Sequence, residues 1–197
     1  MYKFHTNTQL CFCLCDTETT GLRTDNKDFI IEVGFIFVNN LLKVMNAFDS
    51  VVSMPKLIEI LEDHHNSYWP EEFSEAYKVH NIDPGEILNY GREPSIIAKS
   101  IEEIIDPIKA SGVEKIILIS NNAAFDTHFL KQLYNASGYK WPFHYATWDT
   151  SIILNTANLN PTNYVHRAMP DALELLSNLV TYNNSVKGIA SLYMPIS

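Results

Sequence analysis

Apolar and polar positions cut the chain into a run of strands followed by alternating helices and strands. Leu10–Asp16 is a short apolar run that ends on an acid, and it predicts a strand. Phe29–Val38 is apolar apart from Glu32, the pattern of a strand buried on both faces. Asn39-Asn40 predicts a hairpin turn into Leu41–Val52, and Pro55 closes that region. Lys56–Glu62 predicts a helical turn or two, and His64–Glu72 a surface excursion. Ile97, Ile101, Ile104, Ile105 and Ile108 make an apolar stripe along a helix over Ile96–Ala110, with Ser95 as its N-cap and Gly112 as its stop. Lys115–Ser120 predicts a further strand. Ala123–Ala136 predicts a helix with Phe125, Phe129 and Leu133 four residues apart, ended by Gly138. His144–Trp148 predicts a short strand, with Asp149 capping the next helix. Pro170–Val180 predicts the last helix, with proline at its first position.

That order of elements implies an α/β sandwich around a mixed sheet. No repeat or linker divides the chain, so residues 1–197 are expected to form one domain. Cys11, Cys13 and Cys15 share one face of the first strand, opposite Phe12, Leu14 and Asp16. Their spacing suits buried core residues better than disulfides. The apolar run Leu10–Cys15 is too short for a signal sequence, and none is long enough to span a membrane, which predicts a cytoplasmic protein.

Three polar segments carry candidate chemistry. Asp16-Thr17-Glu18-Thr19-Thr20-Gly21-Leu22 closes the first strand. Two carboxylates two residues apart on a strand share a face, with Cα atoms about 6.6 Å apart. That spacing suits a pair of divalent cations about 3.5–4 Å apart. Gly21 then allows a sharp turn that sets Leu22 beside the cations' ligand. Asn121-Asn122-Ala123-Ala124-Phe125-Asp126 follows the apolar run Ile116–Ile119, and His166-Arg167-Ala168-Met169-Pro170-Asp171-Ala172-Leu173 opens the last helix. Singly, Asp126 and Asp171 read as acids favoured at helix starts. Gathering four acids in one cleft, by contrast, is rewarded only by a metal. Carboxylate oxygens select Mg²⁺ or Mn²⁺ over zinc. His166 carries an imidazole suited to taking a proton from water near neutral pH.

In that order the three segments resemble the DEDDh branch of the DnaQ-like 3′→5′ exonucleases, and most closely the DNA polymerase III epsilon proofreading group. The resemblance runs from about Leu10 to Leu179. It implies a ribonuclease H-like fold with sheet order 3-2-1-4-5. It implies catalysis by Asp16, Glu18, Asp126, His166 and Asp171 with two Mg²⁺ or Mn²⁺ ions, the four acids being the metal ligands. Asp16 would bridge both ions, Glu18 and Asp171 would complete one site, and Asp126 would serve the other. The five-residue step from His166 to Asp171 marks the DEDDh branch, and Tyr164 lies too far upstream for the tyrosine of the DEDDy branch. The substrate would be a nucleic-acid 3′ end, single-stranded or frayed, met by Thr17, Thr19, Leu22, His80, Asn122 and Phe125. Leu22 resembles the family's wedge against the terminal base. Phe125 either faces the terminal sugar or belongs to the core. Val79-His80-Asn81-Ile82-Asp83-Pro84 resembles the His-Gly-Ile-Thr segment beside the terminal nucleotide, with Asn81 for the glycine and Asp83 for the threonine. Asn121 stands where many relatives carry histidine.

Charge limits the mode of binding. The net charge is −9, whereas a nucleic-acid protein usually shows a basic footprint. Two bound dications offset part of this, and the remainder disfavours a long electrostatic grip on a polyanion. The enzyme is therefore expected to hold a few terminal nucleotides and release often. Glu32, in its apolar strand, requires a partner if buried, and Arg167 is the candidate. His64-His65 with Glu62 and Asp63 lacks metal-site spacing and reads as a solvated patch. Ser191–Ile196 reads as a short docking tail, and a stand-alone enzyme is expected rather than a fixed polymerase subunit. Two alternatives stay open: an RNA-trimming exoribonuclease of the same group, and a non-catalytic nucleic-acid-binding module on the same fold.

Overall fold

The computed structural model describes residues 9–25, 27–63, 68–159 and 165–193, with side chains described as far as Ser185. Five strands form one sheet in the order β3-β2-β1-β4-β5, as expected. β1 is Leu10–Thr19, β2 Ile30–Asn39, β3 Val44–Val51, β4 Lys115–Ser120 and β5 Trp148–Asp149. β1 runs antiparallel to β2 and parallel to β4, so the sheet is mixed. Seven α-helices accompany it among the described residues: α1 Pro55–Asp63, α2 Ser74–His80, α3 Pro84–Tyr90, α4 Pro94–Ala110, α5 Ala123–Ser137, α6 Ser151–Thr156 and α7 Ala168–Tyr193.

Alternation along β1 feeds two cores. Cys11, Cys13 and Cys15 join a large cluster with β2, α1, α4 and α5 side chains such as Phe35, Leu57, Ile101 and Phe129. Phe12 and Leu14 join Leu154 of α6 and Ala172 and Leu175 of α7 on the other face. All three thiols are free and buried, and burial is the main reason each is held above the ordinary thiol range. They are core residues without reactive character.

Strand pairing positions the site. β1 pairs with β4 only from Leu10 opposite Lys115 to Leu14 opposite Ile119. Its pairing with β2 continues to Thr19 opposite Ile30. Past Leu14, the ladder between β1 and β4 has ended while β1 runs on. A crevice therefore opens at the carboxyl ends of two parallel strands whose chains leave in different directions, the place where open α/β sheets bind ligands. Asp16 and Glu18 stand on β1 at this point.

Several boundaries differ from the sequence reading. The helix expected at Ile96 begins at Pro94, with Glu93 rather than Ser95 in the cap position, because proline fits the first helical turn. The strand expected over His144–Trp148 is only Trp148–Asp149, which pairs with Ile119 and Ser120 of β4, while residues 144–147 stay outside the ladder. The last helix starts at Ala168, two residues ahead of Pro170, and Asp171 lies in its first turn. The cap position of α6 is held by Thr150 rather than Asp149, which stands one residue earlier and accepts from Ser151 N at 2.9 Å and from Ala123 N at the start of α5. Gly21 does not have a positive φ. Its place is fixed by packing, for a Cβ there would lie 2.5 Å from the Asp28 carboxylate. His64-His65 and Tyr164 fall outside the described residues, as does the end of the Ser191–Ile196 tail.

Candidate active site

Three elements deliver the five predicted groups. β1 carries Asp16 and Glu18, the first turn of α5 carries Asp126, and α7 carries Asp171 with His166 two residues before its start. Ligand atoms of Glu18, His166 and Asp171 all lie within 4.8 Å of one another. Asp16 and Asp126 stand outside this tightest group, but their charges are felt within it. Burial, then Asp126, Glu18, Asp171 and Glu32 in that order, push the Asp16 carboxyl well above the usual carboxylate range. Glu18 is pushed up to about 8, first by burial and then by Asp171, Glu32 and Asp126. Asp171 is also raised, chiefly by burial. Asp126 is raised to about 6 by burial, against the pull of two hydroxyl donors. These donors are Thr17 Oγ1 to Oδ1 at 2.8 Å and Ser120 Oγ to Oδ2 at 2.5 Å.

Such mutual repulsion is costly unless a cation sits among the groups. An all-carboxylate oxygen set with one imidazole fits a hard divalent cation, so the residues present suit the metal that the family resemblance implies.

α7 reaches the sheet because Gly34 of β2 leaves room for it. A Cβ at Gly34 would lie 2.6 Å from the Ala168 backbone, just ahead of Asp171. Gly34→Val is therefore expected to destabilise the protein by about 1–3 kcal/mol, read as a lower urea midpoint. An unchanged midpoint would show that the helix start moves aside freely.

Beside Glu18 lies a groove of about 480 Å³, lined in part by Leu22, Arg23, Val79, His80 and Phe125. Leu22 is 81% exposed at its edge, on a loop whose shape Arg23 fixes through both its backbone N and its guanidinium on buried Asp28. Phe125 is partly buried and packs against Phe129 at 4.8 Å, so it faces the groove and the core at once. His80 is buried, with Nδ1 accepting from Ile82 N at 2.9 Å, and burial is the main cause of its low pKa of about 4. It shapes the groove wall as a neutral ring. Asn81 takes φ 54° as the C-cap of α2, a left-handed conformation that asparagine tolerates. The side chains of Thr17 and Thr19 are turned to internal partners, Asp126 and the Gly21 carbonyl. Asn122 is exposed at the start of α5 and does not line this groove.

Two supports escaped the sequence reading. Ser120, at the end of β4, holds Asp126, and its only sequence signal was its place at a strand terminus. Glu86 of α3 accepts from Arg167, a partnership across 81 positions with no local signature. The expected pairing of Glu32 with Arg167 is present, at 2.9 Å from Nε.

The sheet order and its flanking helices are those of the ribonuclease H-like fold. A family model described as exonuclease, the RNase T family, matches residues 14–179, and the chain belongs to that exonuclease family. No curated protein sequence matches it significantly. Among solved structures, it is similar to E. coli Exonuclease I in complex with a dA16 oligonucleotide, at 17% identity and a TM-score of 0.63. That match covers 87% of this chain and 40% of the other, so the chain spans about two-fifths of Exonuclease I. It is also similar to the nuclease domain of 3′hExo, a DEDDh family member bound to rAMP, at 15% identity and a TM-score of 0.59. There the match covers 89% of this chain and 92% of the other. No described helix is long and apolar enough to cross a membrane.

Proposed function

We propose that the protein is a metal-dependent 3′→5′ exonuclease of the DEDDh type that releases 5′-mononucleotides from a DNA end or short single strand. The observation that carries this reading is the convergence of Glu18, His166 and Asp171 within 4.8 Å, with the charges of Asp16 and Asp126 alongside. Two Mg²⁺ or Mn²⁺ ions would be held by Asp16, Glu18, Asp126 and Asp171. When bound, such ions activate a water and stabilise the charge that develops on the phosphoryl group and the leaving 3′ oxygen.

The chain's own residues do the rest. His166 accepts the proton of the attacking water. The hydroxyls of Thr17 and Ser120 fix both oxygens of Asp126, so that its orientation needs no rearrangement. Leu22 and Phe125 offer apolar faces to the terminal nucleotide, and the groove beside Glu18 has room for it. Acids such as Glu72 and Glu75 share that groove, so grip rests on the terminal residues and the metals more than on the phosphate backbone. Similarity to both an oligonucleotide-bound Exonuclease I and an rAMP-bound DEDDh domain keeps an RNA-trimming activity as the second reading.

The test is degradation of 5′-labelled DNA and RNA oligonucleotides, compared side by side with Mn²⁺ or EDTA and with an unlabelled trap. The expected outcome is a ladder shortened from the 3′ end, lost in EDTA, stronger on DNA, and stalled soon after the trap is added. Binding without cleavage in Mn²⁺ would leave a non-catalytic module. Long runs of hydrolysis past the trap would sink the short-grip reading.

A further inference from the structure

His166 has φ 53°, in the left-handed region that few residues other than glycine occupy, although histidine enters it more often than most. Such a conformation persists only where the surroundings over-determine it. Here the chain is tied on both sides of the residue. Val165 N donates to Asp171 Oδ1 at 3.3 Å, and Asp171 N donates to the Arg167 carbonyl at 3.1 Å. Arg167 presents its guanidinium fork to Glu32, with Nε 2.9 Å from Oε1 and 3.1 Å from Oε2 and with Nη2 2.5 Å from Oε1. Nη2 also donates to Glu86 Oε1 at 2.7 Å. Ala168 N completes the set on Glu32 Oε2 at 2.8 Å.

The anchor is well chosen for position. Glu32 is buried on β2 and stands directly opposite Glu18 in the β1–β2 register. A tether to Glu32 thus sets the backbone on either side of His166 relative to the rung that bears Glu18. Glu86 lies in the first turn of α3, which follows the groove-lining Val79 and His80 by a short connection. One guanidinium therefore joins the sheet, the groove wall and the histidine segment. As a source of stability alone such a cluster is poorly placed, because a buried carboxylate next to Glu18 adds repulsion to the site.

We propose that Glu32, Arg167 and Glu86 form a positioning clamp that sets the imidazole of His166 against Glu18 and Asp171; this rests on the reading of His166 as general base. The Arg167 guanidinium is engaged by the two acids, and the cluster reaches the reaction through the backbone on either side of His166. Lysine cannot replace the fork, because it offers a point charge without the bidentate plane.

The experiment is a double-mutant cycle between Arg167→Lys and His166→Ala, read as single-turnover cleavage of a 3′-labelled oligonucleotide in Mn²⁺, with folding checked by circular dichroism. Arg167→Lys is expected to lower the rate about 10- to 100-fold with oligonucleotide affinity nearly unchanged, as a displacement on the order of 1 Å would do. In the His166→Ala background it is expected to cost nothing further, because the group it positions is gone. An equal loss in both backgrounds, or an unchanged rate in the first, would overturn the clamp while leaving His166 in place. Full activity of His166→Ala would overturn the general-base reading, and the clamp with it. If Arg167→Lys does not fold, Glu86→Gln at the more exposed end carries the same cycle, with an expected loss of about 3- to 10-fold. An unchanged rate there overturns the proposal.

Discussion

Asp16→Asn is expected to abolish hydrolysis, by about 10³-fold or more, and at the same time to make the metal-free protein harder to unfold at pH 8. The two effects have one cause. Asp16 is the carboxylate on which the charges of Asp126, Glu18, Asp171 and Glu32 all act. Its charge is what a bridging cation would need and what the metal-free fold can least accommodate. The amide keeps the shape and removes that charge, so repulsion falls throughout the cluster while a cation held there would lose one of its proposed ligands. Structural carboxylates behave the other way, losing stability when neutralised. Cleavage of a 3′-labelled oligonucleotide in Mn²⁺ measures the first effect, and the urea midpoint in EDTA measures the second. Activity within tenfold of the parent, or a lower midpoint in EDTA, would remove Asp16 from the centre of the site.

The parts legible in the sequence were those written in short-range pattern. Strand alternation through Leu10–Asp16 separated the cysteine face from the Phe12–Leu14 face, and both cores follow that division. The acids of β1, α5 and α7 were visible because each sits at the end of a strand or the start of a helix, where flanking apolar runs frame it. Glu32 announced its partner by being a single acid in a buried strand, since a buried charge must be answered.

What escaped depends on groups with many possible partners, far apart in the chain. Nothing in Ser120 or Thr17 marks a hydroxyl that will hold Asp126, because serine and threonine are common and the contact from Thr17 spans 109 positions. Gly21 was legible as a glycine but not for its reason, because proximity of Asp28 is a tertiary fact. The two-residue length of β5 is likewise a tertiary fact: Trp148 and Asp149 join the ladder of β4, whatever the apolar pattern of His144–Trp148 proposes.

Without metal, the protein is expected to melt at a higher temperature at pH 6.5 than at pH 8.5, by on the order of 5 °C. The folded state holds Glu18 at about 8 against an ordinary 4.5, and Asp16 is raised as well. A raised carboxyl binds its proton more tightly in the folded than in the unfolded chain. Its protonated form therefore favours folding, and that advantage is lost as pH rises through the folded value. Asp126, at about 6, loses most of its share earlier in the same direction. His80 acts in the opposite sense. Held at about 4 against an ordinary 6.5, it must stay neutral in the fold, so stability falls as pH drops below about 6.5 and the unfolded histidine takes up its proton. Below pH 6.5 this single histidine offsets one raised carboxyl but not Glu18, Asp16 and Asp126 together, so the metal-free melt is expected to go on rising as pH falls toward about 5. Added Mg²⁺ is expected to raise the melt more at pH 8.5 than at pH 5, because protons compete for the same carboxylates, and so to flatten or reverse the alkaline side of the profile. Calorimetric melts in EDTA and in Mg²⁺ at pH 5, 6.5 and 8.5 give the whole profile. A metal-free melt that climbs steadily to pH 8.5 would mean that the acids do not crowd one another, and would remove the physical reason for a cation among them.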